Sequence, residues 1–452
     1  MLNYIWLGLI LLAVIIGGFN QNLKAVADRA FDMAKFAVLD TALPLVGIMA
    51  LWLGVMRLAE RAGLVALLAR VLRPMLCRLF PDVPAEHPAM GSMLMNMAAN
   101  MLGLGNAATP LGLRAMKDLE TLNPRPGTAT NAMCTFLAIN TSSIQLIPVT
   151  AIGILVANKA ANPTAIVGTS IMATFTAATC AVLTAKFLER LPAFRLPPVS
   201  VAEVAPAAAP SDSGNATSAN AKAPLTEAAG LQPLTWWGRV VLGAYGLFFL
   251  WLFLRMAFPW MPGYAAPADG ATQSGFVRMV DTVSKLSIPF LLSAFPLYAA
   301  LRKVKVYEEF VEGAKEGFEV ALRIIPYLVA ILVAIGMFRA AGGIDLLSKA
   351  LAPAMLAIGF PPELLPLVLM RPLSGSGTLG VFTELVKTFG PDSLLARTAG
   401  TIFGSTETTF YVLAVYFGSV GIKRTRYALL AGLTADLVGV VASVVICRLV
   451  LG

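Results

Sequence analysis

Charge is scarce in this chain. Asp, Glu, Lys and Arg make up 13% of its 452 residues, about half of the roughly 25% usual in soluble domains. The few charges gather between apolar runs instead of alternating with them, which excludes an ordinary water-soluble fold with solvated helix faces. Histidine is scarcer still. His87, in the loop PDVPAEHPAM, is the single one, so a His-based triad or metal cluster is excluded and a solvated loop role is expected. The four cysteines, Cys77, Cys134, Cys180 and Cys447, lie far apart with no C-x-x-C pair, which predicts neither a zinc site nor a disulfide framework. No H-E-x-x-H, G-x-S-x-G or G-x-x-x-x-G-K-[ST] occurs, so no enzyme class and no cofactor is indicated.

Apolar residues are abundant, at 58% of the chain, with a mean hydropathy of +0.77. A membrane span needs about 20 of them in a row. Spans are expected near 2–19, 36–56, 131–156, 164–186, 236–257, 280–300, 319–338, 397–419 and 427–449. The first 20 residues lack a basic start and an A-x-A-like site, so an uncleaved first helix is expected there. Shorter pieces at 63–80, 88–104, 343–360 and 364–383 are interrupted by Gly and Pro. They predict half-helices or re-entrant hairpins, tolerated at membrane depth only where protein or a cavity shelters them. The fold class is therefore all-α: a polytopic membrane protein with broken or re-entrant helices. Its formal charge of +9 suits basic cytoplasmic loops and anionic lipid, not nucleic acid.

Residues 196–234 are Ala-, Pro- and Ser-rich without a periodic apolar face, the composition of a flexible linker. The expected organisation is a first membrane half at 1–190, a linker at 191–235, a connecting helix and loop at 236–275, and a second half at 276–452. Lys186, Arg190, Arg195 and Arg239 flank the linker, which places it in the cytoplasm by the positive-inside rule. The halves read as distant copies. Pro44 answers Pro326, Gly54 answers Gly336, Pro74 answers Pro353, and Phe80-Pro81 answers Phe360-Pro361. GLGNAATPLG (103–112) answers SGSGTLG (374–380), and AINTSS (138–143) answers STETTF (405–410), a register that equates Asn140 with Glu407. Repeats with interrupted helices in matching positions are a recurrent transporter plan, with the site at the repeat interface.

The polar breaks carry the chemistry. Asn96 and Asn100, four apart, share one helix face, and Gly103, Gly105, Asn106, Thr109 and Pro110 are expected to break that helix. Unwound backbone and helix ends offer free N–H and C=O groups to a solute. The second-half counterpart holds Arg371, Ser374, Ser376 and Thr378, where a basic side chain beside a Gly/Ser break suits an anion. The second pair of breaks holds Asn140, Ser142 and Gln145 in one half and Ser405, Thr406, Glu407 and Thr408 in the other. A carboxylate at the bilayer centre costs at least about 2–3 kcal/mol, so Glu407 must be protonated, paired or facing a polar cavity. Arg371 is its expected partner, and Asp436 is a second buried acid.

Long strings also resemble a known family. GIMALWLG, FPDVP-x-x-HPA, ANMLGLGNAATPLGL-x-AM and NAMC-x-FLAINTSSI-x-LIP, within 1–190, are similar to the A-type spore maturation proteins (SpmA). VYEEFVEGAKEGF, IIPYLVAILVAIGMFRA, RPLSGSG-x-LG and GSTETTFYVLAVYFGSVGIK, from about 276 onward, are similar to the B-type (SpmB). The chain looks like a fusion of the two. The resemblance implies two Gate, or nucleoside-recognition, halves of a kind also met in nucleoside and ferrous-iron transporters; it does not fix the solute. The expectation is a multi-pass protein of the bacterial inner membrane that translocates or gates a small polar or anionic solute. Its expected partners are the lipid bilayer and that unidentified solute, with no nucleic acid; a homo-oligomer is possible. A non-transporting scaffold is the alternative. Asn96, Asn100, Asn106, Thr109, Asn140 and Ser142 would line one side of the path, and Arg371, Ser374, Ser376, Ser405, Thr406, Glu407 and Thr408 the other.

Overall fold

The computed structural model describes residues 2–103, 105–142, 144–195, 233–262, 274–343, 346 and 359–452. Most of the expected linker and of the broken piece at 343–360 lies outside them, as does Ser143. Among the described residues the chain is helical, with one isolated β-bridge pairing Thr128 and Arg424.

Each half is organised around one very long helix. In the first, α2 (Leu23–Phe36), a π-helical turn at Ala37–Ala42 and α3 (Leu43–Arg61) form one 39-residue unit, about 58 Å long. The wide turn precedes Pro44, which has no N–H to return to Asp40, so the ladder shifts to a longer step there. The counterpart is α12 (Val306–Ala340), which carries Pro326 inside it. The two run antiparallel in close contact. Arg57 pairs with Glu309 at 2.9 Å, Gly54 lies against Phe310, Gly313 against Leu53, and Gly317 against Ala50. Gly313 and Gly317 form a G-x-x-x-G step, and a Cβ on Gly317 would lie 2.6 Å from Ala50 Cα. Backbone-to-backbone approach of this kind drives helix association in lipid, where burial of apolar surface gives no advantage.

The last helices of the halves repeat the arrangement. α9 (Ile166–Arg190) and the terminal helix Ala428–Val450 also run antiparallel, with Ala177 against Gly439 and Phe194, just past α9, bonded to Arg426. Small residues are buried along both helices: Ala173, Ala177, Ala181 and Ala185 on α9, and Ala431, Ala435 and Gly439 on the terminal helix. Equivalent helices of the two halves thus point in opposite directions across the membrane. That is an inverted repeat.

Between the long helices, each half places shorter ones. The first half has α4 (Leu64–Leu79), α5 (Pro88–Met101), α6 (Gly105–Glu120), α7 (Asn131–Ser142) and α8 (Val149–Ala157). The second has α13 (Leu365–Met370), α14 (Gly375–Phe389), α15 (Leu394–Ser405) and α16 (Thr409–Gly418), before the terminal helix, α17. Two expectations are corrected here. The apolar stretches 131–156 and 397–419 are not continuous spans: each is two short helices separated by a polar loop, because Ser and Thr side chains there bond to their own backbone. The break after Asn100 is also shorter than expected. Gly103, in the left-handed region at φ 76°, completes the turn; Gly105 restarts the helix, and Thr109 and Pro110 are taken into it.

Among the described residues five helical units are long and apolar enough to cross a membrane: Leu23–Arg61, Pro163–Arg190, Trp236–Ala257, Gly275–Leu301 and Ala428–Val450. Helix α10 (Trp236–Ala257) lies on the outside. Its window is only 6% buried, and it touches α11 (Gly275–Leu301) through Tyr245, whose hydroxyl lies 2.6 Å from that of Ser293. The N-terminal hairpin closes α12: Asn20 and Asn22, after α1 (Leu2–Phe19), donate to the end carbonyls of Ala341 and Ala340, which would otherwise lack partners. His87 caps α5, accepting from Ala89 N–H. Outside the spans, Asp392 accepts from the backbone N–H of Ala161 at 2.8 Å and of Asn162 at 3.3 Å, which holds its carboxyl below the usual range. One loop from each half is tied there.

Candidate functional site

The half-helices α7 and α15 enter from opposite sides and end at the middle of the protein. The N–H of Glu407, two residues past α15, donates to the carbonyl of Thr141 near the end of α7 at 3.0 Å. Each half braces its break in the same way: Leu146 N–H bonds to Met101 C=O, and Phe410 N–H to Pro372 C=O, both at 3.1 Å. Because α7 ends at Ser142 and α15 at Ser405, these two residues are the structural equivalents. Asn140 therefore matches Phe403 inside a helix, while Glu407 lies in the break beyond it. This corrects the equivalence of Asn140 and Glu407, which shared polarity suggested and helix ends overrule.

A cavity of about 260 Å³ opens where the breaks meet. The first half supplies Met49, Trp52 and Met56 from α3 together with Gly103, Gln145 and Thr150; the second supplies Arg371, Gly375, Phe403 and Glu407. Arg371 follows α13 and is 4% exposed. Its Nε donates to Thr406 Oγ1 at 3.1 Å; one terminal nitrogen donates to the carbonyls of Phe403, at 3.0 Å, and of Thr406. The guanidinium carbon sits 4.8 Å from the centre of the Phe403 ring. Glu407 is reached at 3.9 Å, too far for a hydrogen bond. The expected pair therefore exists, but helix-end carbonyls hold the guanidinium while the carboxylate, 33% exposed, faces the cavity.

The other expected residues fall into two groups. Thr406 and Thr408 flank Glu407, and Ser374 caps α14 by accepting from Gly377 N–H, with Ser376 3.4 Å from it. They adjoin the lining residues Gly375 and Glu407 in the chain, but none of the four lines the cavity itself. The asparagines instead form a buried cluster beside it. Asn100 donates to Asn140 Oδ1 at 3.0 Å, Tyr416 donates to the same oxygen at 3.3 Å, and Asn96 donates to Ala108 C=O and to the Tyr416 hydroxyl. Ser142 bonds back to Ile139 C=O, and Ser405 contacts Ser443. Thr109 is half-buried in α6; the side chain of Asn106 lies outside the described residues. Trp52 and Tyr416 were not anticipated. Each is an aromatic in an apolar run, and position in an apolar run does not separate a site wall from a core. The G-x-x-x-G at 313–317 is the local sequence signal for the close contact of α12 with α3.

A second cavity, of about 400 Å³, lies at the loop end of the bundle and includes Asp82, Arg125, Glu189, Arg195 and Arg426. There Arg426 ties the halves together, bonding Asn131 and the carbonyls of Ala129 and Phe194.

Inverted repeats, half-helices meeting at the middle of the protein and a shared cavity holding Arg371 and Glu407 define a multi-pass α-helical membrane protein built from two Gate-type halves. The Gate family, described as nucleoside recognition, matches residues 42–158 and 321–423, one stretch in each half. Spore maturation protein B of Bacillus subtilis (strain 168) is 50% identical over 176 residues, 39% of this chain and 99% of that protein. Spore maturation protein A of the same organism is 44% identical over 174 residues, 38% of this chain and 88% of that protein. The chain belongs to the spore maturation protein family and unites its A-type and B-type members. No solved structure matches it.

Proposed function

We propose that the chain translocates, or gates the passage of, a small polar or anionic solute through the cavity between its halves. One observation carries this reading: two oppositely directed half-helices end at the same point, beside a cavity holding Glu407 and the buried Arg371. In transporters built from inverted repeats, sites lie at the repeat interface near the midplane and are formed by such discontinuous helices. A volume of about 260 Å³ lies just below the roughly 300–1,000 Å³ of drug-sized ligand sites, which favours a small solute. Glu407 supplies the accessible acceptor, and Trp52 and Phe403 supply flat apolar walls. Gln145 and Thr150 add polar groups to the wall, Ser374, Ser376, Thr406 and Thr408 support it from behind, and the asparagine cluster fixes α5 and α7.

The membrane would be the bacterial plasma membrane. Arg57, Arg61, Arg190, Arg239, Arg302, Lys303 and Lys305 gather at one end of the spans, which the positive-inside rule assigns to the cytoplasm.

A scaffold reading draws on Arg371, whose Nε and one terminal nitrogen already satisfy helix-end acceptors. Thermal unfolding of the purified chain against nucleosides, dicarboxylates and metal ions separates the two. A solute at 100 times its Kd stabilises by about 2.7 kcal/mol. Stabilisation by one class, lost in Glu407→Gln, supports transport; no response to any class supports the scaffold.

A further inference from the structure

Asp436 is the buried acid that the cavity does not include. It sits in the ninth position of α17, about 12 Å from the start of that helix and about 21 Å from its end. The residue is 5% exposed. Oδ2 accepts from the hydroxyl of Thr409 at 2.6 Å, and Oδ1 is buried with no hydrogen-bond partner. Among the described residues no Lys or Arg forms a salt bridge with it. An isolated carboxylate in a low-dielectric interior is strongly disfavoured unless it is paired or neutralised.

Its surroundings point to use and not to accident. Thr409 is the first residue of α16, two positions past Glu407, so Asp436 holds the far edge of the second break. The neighbours of α17 one turn before Asp436, at Gly432, are Thr141 and Thr409; those one turn after, at Gly439, are Thr406, Ala177 and the Ser405 carbonyl. None of these titrates. α11 carries Asp281 and Lys285, which pair with each other at 2.6 Å, and Arg397 of α15 pairs with Asp392. Among the described residues, the charged side chains at the same break are Arg371, which bonds Thr406, and Glu407, two residues before Thr409; both line the cavity.

We propose that Asp436 is a reversible proton-binding site, and that it shares the buried charge of Arg371 with Glu407. Ionised, Asp436 competes with Glu407 for that charge; protonated, it leaves Arg371 to Glu407 and the break. The proton comes from water in the cavity and returns to it, so the site couples proton concentration to the state of the break. The coupling rests on the cavity reading above, while proton binding at Asp436 stands apart from any solute.

The test is infrared difference spectroscopy of the full chain in vesicles, titrated from about pH 5 to about pH 9. A protonated-carboxyl band that titrates in this range is expected. It should shift when aspartate is carbon-13 labelled in the unmutated protein, vanish in Asp436→Asn, and persist with a moved midpoint in Glu407→Gln. Because Asn keeps the bond to Thr409, the variant is expected to fold; the labelled wild type decides the matter if it does not. No label-sensitive band, or a band unchanged in Asp436→Asn, overturns the proton site. A band lost in Asp436→Asn with an unmoved midpoint in Glu407→Gln keeps the proton site and overturns the coupling to the cavity.

Discussion

Arg371 and Glu407 form an unequal pair, and their removal should cost unequal amounts. Arg371→Met takes away the donors that satisfy the carbonyls of Phe403 and Thr406, and a buried acceptor left without a partner costs about 1–3 kcal/mol. Two such groups give a loss of about 2–6 kcal/mol, before any change in contact with the Phe403 ring. Glu407→Gln removes a partner 3.9 Å away on a side chain 33% exposed, an interaction in the range of about 0–1 kcal/mol for solvent-reached pairs. Were the two a fully buried structural pair, losing Glu407 would strand Arg371 at a cost of about 3–5 kcal/mol. The helix-end carbonyls remove that expectation. Denaturant unfolding of the three proteins in one detergent measures the asymmetry. Equal losses for Glu407→Gln and Arg371→Met would refute the view that carbonyls, not the carboxylate, hold the guanidinium.

Three further outcomes follow from the packing. Gly317→Val places methyl groups against Ala50 Cα and Met49 C=O, both 2.6 Å from the first added carbon; backbone cannot yield as a side chain does, so the unfolding free energy should fall by about 1–3 kcal/mol or more. Tyr416→Phe removes the hydroxyl that bridges Asn96 and Asn140. Both amides keep another partner, so a loss near 1 kcal/mol is expected, with ligand response intact. The carboxyl of Asp392 is held low chiefly by the N–H of Ala161. Its contribution is present above the unfolded carboxylate value of about 3.9 and is lost as pH falls through the lower folded value. The gap in melting temperature between wild type and Asp392→Asn should therefore be open at neutral pH and closed in strong acid.

Much of the architecture was legible because its signals are local. Long apolar runs, Pro44 and Pro326 at matching places, and Gly-rich polar breaks predicted a repeated membrane protein with interrupted helices. Two kinds of feature were not legible. Inversion of the repeat depends on which side each helix starts from, and hydropathy carries no direction; it becomes visible only when Gly317 meets Ala50 and Gly439 meets Ala177. Helix ends depend on competition between side-chain and backbone hydrogen bonds, so AINTSS and STETTF were aligned by polarity and matched Asn140 to Glu407. The asparagines were the most polar groups of the first half and looked like a lining. Buried inside the protein, Asn100 bonds Asn140 and Tyr416 bridges Asn140 and Asn96, with Asn96 Oδ1 left without a partner, and the cavity wall is made by Trp52, Gln145 and Gly103 instead.

Uptake into sealed vesicles is the most direct test of the central claim that a solute passes between the halves. A compound that stabilises the purified chain would be loaded outside vesicles holding wild type, Glu407→Gln or Trp52→Ala, and its entry followed with time. The cavity reading predicts entry with wild type, and its loss with Glu407→Gln while the melting temperature of that variant is unchanged. Entry at the wild-type rate through both variants, or binding with no entry through any of the three, would contradict it.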